Sequence, residues 1–414
     1  MDMNERQIIT NNIHKYFETN KNKKIVILPY RNLSGVVSDI LNDEYSIREQ
    51  FIVDNYACDM DHIYPMNRMP DGYEACTFML AAFGGTKKVL HEMLLEYVSE
   101  DRIVDLLFDE NREKVFQSDS KVHMDFLCPG FTKCGTTSMH YALAQNPKIF
   151  LPKVKETYFL NYAVDEKAHE AFKNHYKPEE TAGRIVGDIE PGYKNMAEDV
   201  YRYCGSDLKL IFCVRNPVDV LYSYYKMEMR NALFMLEAST SGTESNEWDG
   251  NVSPELFDKW AVKYSFRGRY SDYIKSYLKY YPMEQIKIIV GEELYADTKN
   301  AMDDLQSFLG IPEKDKLEYR EFPRENIGSK VAKDQIGLEI NKNIQQLRYK
   351  LIQKGDFQSL DLLYSIRDKI EELTLVDYNE PMLESTRQNL LDYYMDSIHD
   401  LEGMLGRSLQ GVWY

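Results

Sequence analysis

Phe126-Leu-Cys-Pro-Gly-Phe-Thr-Lys-Cys-Gly-Thr-Thr-Ser138 is the stretch that decides the fold. Its apolar opening reads as a buried strand. Gly130 and Gly135 let the backbone bend close to a ligand. Lys133 carries a positive charge into the bend. Thr136, Thr137 and Ser138 supply hydroxyls where the N-terminus of the next helix leaves N–H groups unpaired. A strand, a glycine-bearing loop and a helix start in that order make a site for a phosphate or sulfate group. Standing alone, the same stretch also fits an ordinary strand–loop–helix turn.

The spacing separates two families of phosphate loop. A nucleotide-triphosphatase loop places Lys directly after its second Gly. Here Lys133 precedes Gly135 by two residues, giving Lys-x-Gly-Thr-Thr-Ser. That order resembles the 5′-phosphosulfate loop of sulfotransferases that use 3′-phosphoadenosine 5′-phosphosulfate (PAPS). Three downstream segments extend the resemblance. Lys155-Glu156-Thr157-Tyr158-Phe159 is similar to the K-E-x-[HY]-F-F segment of glycan and tyrosine sulfotransferases, with Leu160 in place of the second Phe. Gly187-Asp-Ile-Glu-Pro-Gly-Tyr193 looks like the family's G-E-x-[ST]-P-x-Y turn. It departs at Asp188 for the usual Glu, at Glu190 for Ser or Thr, and at Ile189, where some members carry a functional Lys. Arg215-Asn-Pro217 with Ser223 matches the 3′-phosphate motif, in which a planar guanidinium fork and a neutral hydroxyl receive a phosphate.

The resemblance spans about residues 122–330 and 382–414 and implies an α/β fold. In it a parallel sheet is flanked by helices in a P-loop-like sulfotransferase arrangement, here preceded by a smaller N-terminal α/β domain. It also implies roles. Glu156 is the expected catalytic base and Lys133 the cation at the leaving group. Lys133, Cys134, Gly135, Thr136, Thr137, Ser138, Arg215 and Ser223 are the expected PAPS-binding residues. Lys155, Asp188 and Tyr193 are expected at the acceptor, and no metal is expected. If Glu156 is not the base, Asp188 and then His140 come next. Arg324 and Asn326 are candidates for a loop over the adenine nucleotide, and the Ser-, Thr- and acid-rich stretch 237–251 for a mobile loop that shapes acceptor binding.

Composition narrows the partners. The 414 residues carry a formal charge of −17, which argues against nucleic acid and acidic membrane surfaces. No apolar run approaches the roughly 20 residues of a membrane span. The opening Met1-Asp-Met-Asn-Glu-Arg6 does not read as a signal peptide, so a cytoplasmic location is expected. The six cysteines show neither metal-ligand spacing nor a disulfide framework. Buried, reduced thiols are expected, with Cys134 in the loop as the reactive exception.

Around this centre the chain divides. Residues 1–115 read as a small Rossmann-like α/β domain: a helix over 1–20, strands at 23–30, 50–55 and 75–83, and helices over 34–41 and 86–98. The glycine fingerprint of a dinucleotide site is missing, since Tyr30-Arg-Asn-Leu-Ser-Gly35 follows the first strand. Residues 109–120 read as a linker. The main domain runs over 122–414, with one Tyr-rich helix over 260–281, a helix over 301–309 closed by Gly310, and a helical insertion at about 330–380.

The expected function is sulfotransfer from PAPS to a hydroxyl or amine, with a glycan as the leading acceptor. Lipid, steroid, phenol and peptide tyrosine remain open. Two alternatives also stay open: a nucleotide-dependent kinase with an atypical loop, and a non-catalytic protein that binds a nucleotide or a partner.

Overall fold

The computed structural model describes residues 3–30, 32–55, 62–82, 84–161, 166–231, 252–322, 330–354 and 356–414. These fall into two compact units whose boundary lies between Glu113 and Lys114. Among the described residues no helix is long and apolar enough to cross a membrane.

In the first unit five strands form one parallel sheet: β1 (Ile25–Leu28), β2 (Phe51–Val53), β3 (Ile63–Tyr64), β4 (Thr77–Leu80) and β5 (Ile103–Asp105), in the order β3-β2-β1-β4-β5. Alternation along β1 sorts its side chains between two cores. Ile25 and Ile27 pack with Ile9, Ile13 and Leu41 from the helices Met3–Thr19 and Asn32–Tyr45. Val26 and Leu28 pack with Leu94, from the helix Gly84–Leu94, and with Val98. The strands and helices expected from the sequence are present. β3 and β5 were not expected, because two or three residues are too few to display a period.

The segment expected as a linker is instead the helix Glu110–Gln117. Asp109 caps it, accepting from the Asn111 N–H at 2.9 Å, and Val115 and Phe116 are buried. Charge on its exposed face masked the two residues that anchor it.

The second unit is built on β6 (Phe126–Gly130), β7 (Ile149–Phe150), β8 (Ile185–Ile189), β9 (Lys209–Val214) and β10 (Ile286–Val290). All are parallel, in the order β10-β9-β6-β8-β7. The chain leaves β6 toward β7 and β8 on one side, then crosses to β9 and β10 on the other. The crevice beyond the carboxyl ends of β6 and β9 is therefore the switch point where α/β sheets bind ligands. Gly187 on β8 is required by packing: a Cβ there would lie 2.2 Å from the Phe126 ring.

The expected Tyr-rich helix over 260–281 is two helices, Pro254–Tyr264 and Tyr270–Leu278, joined by a 3-10 turn at Ser265–Gly268. Tyr394, on the C-terminal helix Glu384–Leu405, sets the break. Its hydroxyl donates to the Ser265 carbonyl at 2.6 Å, and its ring occupies the space a Cβ on Gly268 would need. Tyr270, Tyr277 and Tyr281 are buried core, as their spacing suggested.

The insertion is helical. β11 (Lys330–Ala332) and β12 (Leu375–Asp377) pair antiparallel and close the base of a hairpin made of the helices Gln335–Lys354 and Phe357–Thr374. Gly337 lets the two arms meet, since a Cβ there would lie 2.6 Å from the Thr374 carbonyl oxygen.

Candidate active site

Beyond Gly130 the chain turns through Phe131–Gly135 into the helix Thr136–Leu143. Phe131 anchors the turn, with its ring 4.6 Å from Tyr270 and 5.6 Å from Phe212. Two residues of the turn have left-handed backbone, Lys133 at φ 67° and Gly135 at φ 88°. Lys133, Gly135, Thr136 and Thr137 line a cavity of about 1110 Å³. Cys134 corrects the expectation for it. Its side chain is buried, 3.5 Å from the Tyr270 hydroxyl, its N–H is bonded to the Phe131 carbonyl, and burial pushes the thiol up to about 12. A thiol so held is neither reactive nor available to a nucleotide. Ser138 is also buried and does not line the cavity.

β9 delivers Arg215 beside the loop. Its Nη1 donates to the Lys133 carbonyl oxygen at 3.3 Å. Asn216 then starts the helix Pro217–Asn231, its side chain accepting from the Val218 N–H at 3.0 Å. Ser223, Lys226 and Arg230 lie on one face of that helix and all line the cavity. Burial, together with the neighbouring Arg230 and Arg215, lowers the Lys133 ammonium to about 8, against the opposing pull of Glu156.

Glu156 enters from the segment after β7. It and Tyr158 have left-handed backbone, at φ 64° and 53°. Of the five non-glycine residues with positive φ among those described, Lys133, Glu156 and Tyr158 line this one cavity. Such conformations cost about 1–3 kcal/mol each and concentrate at functional sites. Glu190, at the end of β8, supports the segment by accepting from the Tyr158 N–H at 2.8 Å. The Glu156 carboxylate is ion-paired to Lys155, accepts from the Tyr158 hydroxyl at 2.5 Å and lies 3.7 Å from Arg348 Nη2. Burial alone would raise its pKa. Lys155 and Arg348 outweigh burial, with help from the hydrogen bonds, and hold the carboxyl at about 2.

Two of the residues expected at the acceptor are structural. Asp188 is buried and accepts from the Tyr176 hydroxyl at 2.8 Å, and burial pushes it to about 6. Tyr193 is buried, its hydroxyl accepting from the Leu160 N–H at 2.9 Å. Neither lines the cavity, whereas Lys155 does. His140 is buried, lowered to about 4 by burial first and Lys155 next, and does not line the cavity either. Arg324, Asn326 and the stretch 237–251 lie outside the described residues.

Several lining residues were not anticipated. Lys226 and Arg230 follow Ser223 at three and seven residues, a helical spacing that could have revealed them. Arg348 and Arg367 come from the inserted hairpin, and no local signal marks them. Basic side chains outnumber acidic ones along the lining, although the chain as a whole is acidic. Lys133, Arg215, Ser223, Lys226 and Arg230 together suit a ligand with more than one phosphate-like group. The same lining presents a carboxylate, Glu156, close enough to act on Lys133 electrostatically.

The family model of the sulfotransferase domain matches residues 123–324. Among curated proteins, the bifunctional heparan sulfate N-deacetylase/N-sulfotransferase 4 of Mus musculus is 25% identical over 232 residues, covering 50% of this chain and 26% of that protein. The N-deacetylase/N-sulfotransferase 2 of Homo sapiens is 25% identical over 236 residues, with the same coverage. The chain thus spans about a quarter of the length of these relatives. Among solved structures, a sulfotransferase from Alicyclobacillus acidocaldarius aligns with 70% of this chain and 98% of its own, at 19% identity and a TM-score of 0.44. A mouse sulfotransferase complexed with PAP aligns with 58% of this chain and 70% of its own, at 14% identity and a TM-score of 0.32.

Proposed function

We propose that the protein moves a sulfuryl group from PAPS to a hydroxyl or amine on a glycan, on the footing that residues 123–324 match the family model of the sulfotransferase domain. The observation that carries this reading is the convergence of Lys133, Arg215, Ser223 and Glu156, drawn from three separate segments, on one cavity. The N-sulfotransferase activity named for the curated relatives supports a glycan as the acceptor class.

In this reading the N–H groups of the loop and helix start, from Gly135 onward, hold the 5′-phosphate. Arg215 and Ser223 hold the 3′-phosphate. Glu156 accepts the proton of the acceptor hydroxyl or amine as its lone pair attacks sulfur. The bond from sulfur to the bridging oxygen breaks, and Lys133 stabilises the charge that develops there. The barrier falls through positioning and preorganised charge rather than a covalent intermediate. A kinase is disfavoured by the Lys-x-Gly-Thr-Thr order, which moves the cation away from its place in a triphosphate loop.

The test is thermal stabilisation by the product, 3′-phosphoadenosine 5′-phosphate (PAP). At 100 times its dissociation constant PAP adds about 2.7 kcal/mol to the stability of the folded protein. Adenosine 5′-phosphosulfate, which lacks the 3′-phosphate, is expected to add much less. Equal stabilisation by both ligands would remove the role given to Arg215 and Ser223. Stronger stabilisation by ATP with Mg²⁺ would favour the kinase.

A further inference from the structure

The inserted hairpin carries an apolar face that no described residue covers. Ile336, Ile340 and Leu347 on its first arm and Leu362, Ile366 and Leu373 on its second are all exposed, Ile336, Leu362 and Leu373 by 72%, 66% and 76%. Their neighbours one place on, Asn341, Arg348, Leu363 and Arg367, line the cavity. The arms run antiparallel, so the same one-residue offset turns both stripes to the side of the hairpin away from the cavity. Contiguous exposed apolar surface of this kind marks an interaction site.

The two stripes share one spacing. Each sets apolar residues at i, i+4 and i+11, with a polar residue, Asn343 or Lys369, at i+7. That is the seam of a coiled coil over two heptads with one polar position, the device that fixes register and oligomeric state. Contacts between the arms set the level of the stripes. Gly337 lies against Thr374, and Arg348 bonds to Tyr364. On that ladder Leu373 stands level with the gap between Ile336 and Ile340, and Ile366 just short of Leu347. Either stripe therefore offers knobs where the other offers holes.

Charge selects the occupant and its orientation. A two-fold axis along the hairpin lays the first arm of one copy on the second arm of another, tip beside tip. Lys369 of one copy then falls within about one helical turn of Glu339 of the other. A two-fold axis across the hairpin would lay each arm on itself and bring two copies of Lys369 together, which like charge opposes. Glu339, Glu372 and the net charge of −17 also oppose an anionic membrane as the occupant. The shorter arm has 18 residues, a length of about 27 Å. Two such helices abreast give a footprint on the scale of a standard interface, roughly 800 Å² per partner.

We propose that this face is a self-association surface, on which two copies of the chain pair their hairpins, first arm on second arm, into a four-helix seam. The contact is isologous and closes at two copies. Both cavities stay open, because Arg348 and Arg367 lie on the other side of the hairpin. Pairing needs no ligand in the cavity and is independent of the donor.

Analytical ultracentrifugation of the full chain tests this at about 0.15 M salt, which screens most of the repulsion between two acidic copies. Twice the mass of the chain is expected in the micromolar range, with dissociation on dilution. Ile366→Ser and Leu373→Ser, both at exposed positions, should each weaken association by roughly 10-fold or more. The melting temperature of the dilute chain and its affinity for PAP should not change. Val262→Ser removes an apolar side chain that is 83% exposed elsewhere, and it should leave association as it is. Glu339→Lys and Lys369→Glu should each weaken pairing, and the double variant should return to within about 3-fold of wild type. A chain that stays monomeric up to about 100 µM, well above the affinity expected of such an interface, overturns the proposal. So does a dimer that Ile366→Ser and Leu373→Ser leave intact, since it forms through another face. Absence of recovery in the double variant overturns the tip-beside-tip pairing. A monomer that pellets with phospholipid vesicles, and no longer does so as Leu373→Ser, overturns self-association and gives the face to a membrane instead.

Discussion

Arg215 donates to the carbonyl oxygen of Lys133 at 3.3 Å, which ties the end of β9 to the loop that follows β6. The two cations expected to touch opposite ends of one nucleotide thus form a single mechanical unit. Glycine at 291 makes this contact fit, because a Cβ there would lie 2.7 Å from Arg215 Cγ.

Gly291→Ala should therefore act on the nucleotide without touching it. The added methyl pushes the stem of Arg215 away from its seat at the sheet edge. PAP affinity is expected to fall by roughly 5- to 10-fold, the net scale of one ordinary hydrogen bond. Calorimetry with PAP checks this, and unaltered affinity would place the 3′-phosphate away from Arg215.

Lys133 titrates at about 8 in the free protein, lowered by burial and by Arg230 and Arg215. An anion placed beside it favours the ammonium and raises that pKa. PAP binding should therefore take up protons near pH 8, and affinity should fall as the pH rises through about 8. Calorimetry in two buffers of different ionisation enthalpy reads the proton uptake directly. Lys133→Arg, which stays charged throughout, should abolish the uptake.

Glu156→Gln, Lys133→Ala and Arg215→Ala should fail in different ways. Glu156→Gln keeps the shape and removes the proton acceptor, so turnover should drop by roughly 10²-fold or more with PAP binding near normal. Lys133→Ala should weaken PAP binding and also slow the chemical step, because its cation matters most as charge develops. Arg215→Ala should mainly weaken PAP binding. Near wild-type turnover in Glu156→Gln would move the base elsewhere.

Glu190 offers a stability test. It is fully buried, one oxygen has no hydrogen-bond partner among the described residues, and burial, reinforced by Glu156 and Asp188, pushes its carboxyl well above the usual range. The folded state therefore keeps a proton that the unfolded chain releases at about pH 4.3, at a cost of about 1.4 kcal/mol per pH unit above that value until the folded group itself ionises. Stability from this group is full below the unfolded pKa and declines as pH rises. Glu190→Gln keeps an oxygen for the Tyr158 N–H and removes the titration. Its melting temperature should exceed that of the wild type by more at pH 8 than at pH 5. A constant difference would mean that Glu190 does not titrate in this way.

Much of the fold was legible because its signals are local. The strand before Lys133, the glycine turn, the Asn216 cap with Pro217, and Gly310 closing the helix Thr298–Leu309 are each written within a few residues. Short strands escaped because β3, β5 and β7 hold two or three residues. The helix Glu110–Gln117 escaped because only two of its side chains are buried. Cys134, Asp188 and Tyr193 were placed in the site by their neighbours in sequence, yet each turns inward. On a strand or tight turn one position decides between cavity and core, and the local pattern does not record which side a neighbouring sheet or helix will cover.

The sequence by itself determined that Lys133 and Arg215 follow the carboxyl ends of two buried strands, at the switch point of the sheet. That follows from chain stereochemistry, since each loop is bound to the strand that precedes it and parallel β6 and β9 bring both loops to one edge. Only the tertiary structure decided the state of Glu156. Its partners Lys155 and Tyr158 lie within two residues of it in sequence, but Arg348 arrives from a distant hairpin through apolar packing on Val154 and Tyr158. Burial raises a carboxylate's pKa and cations lower it, so the sign of the outcome depends on which groups the fold sets within a few ångströms. Such distances are fixed by the packing of whole elements against one another, a property that no short stretch of residues encodes.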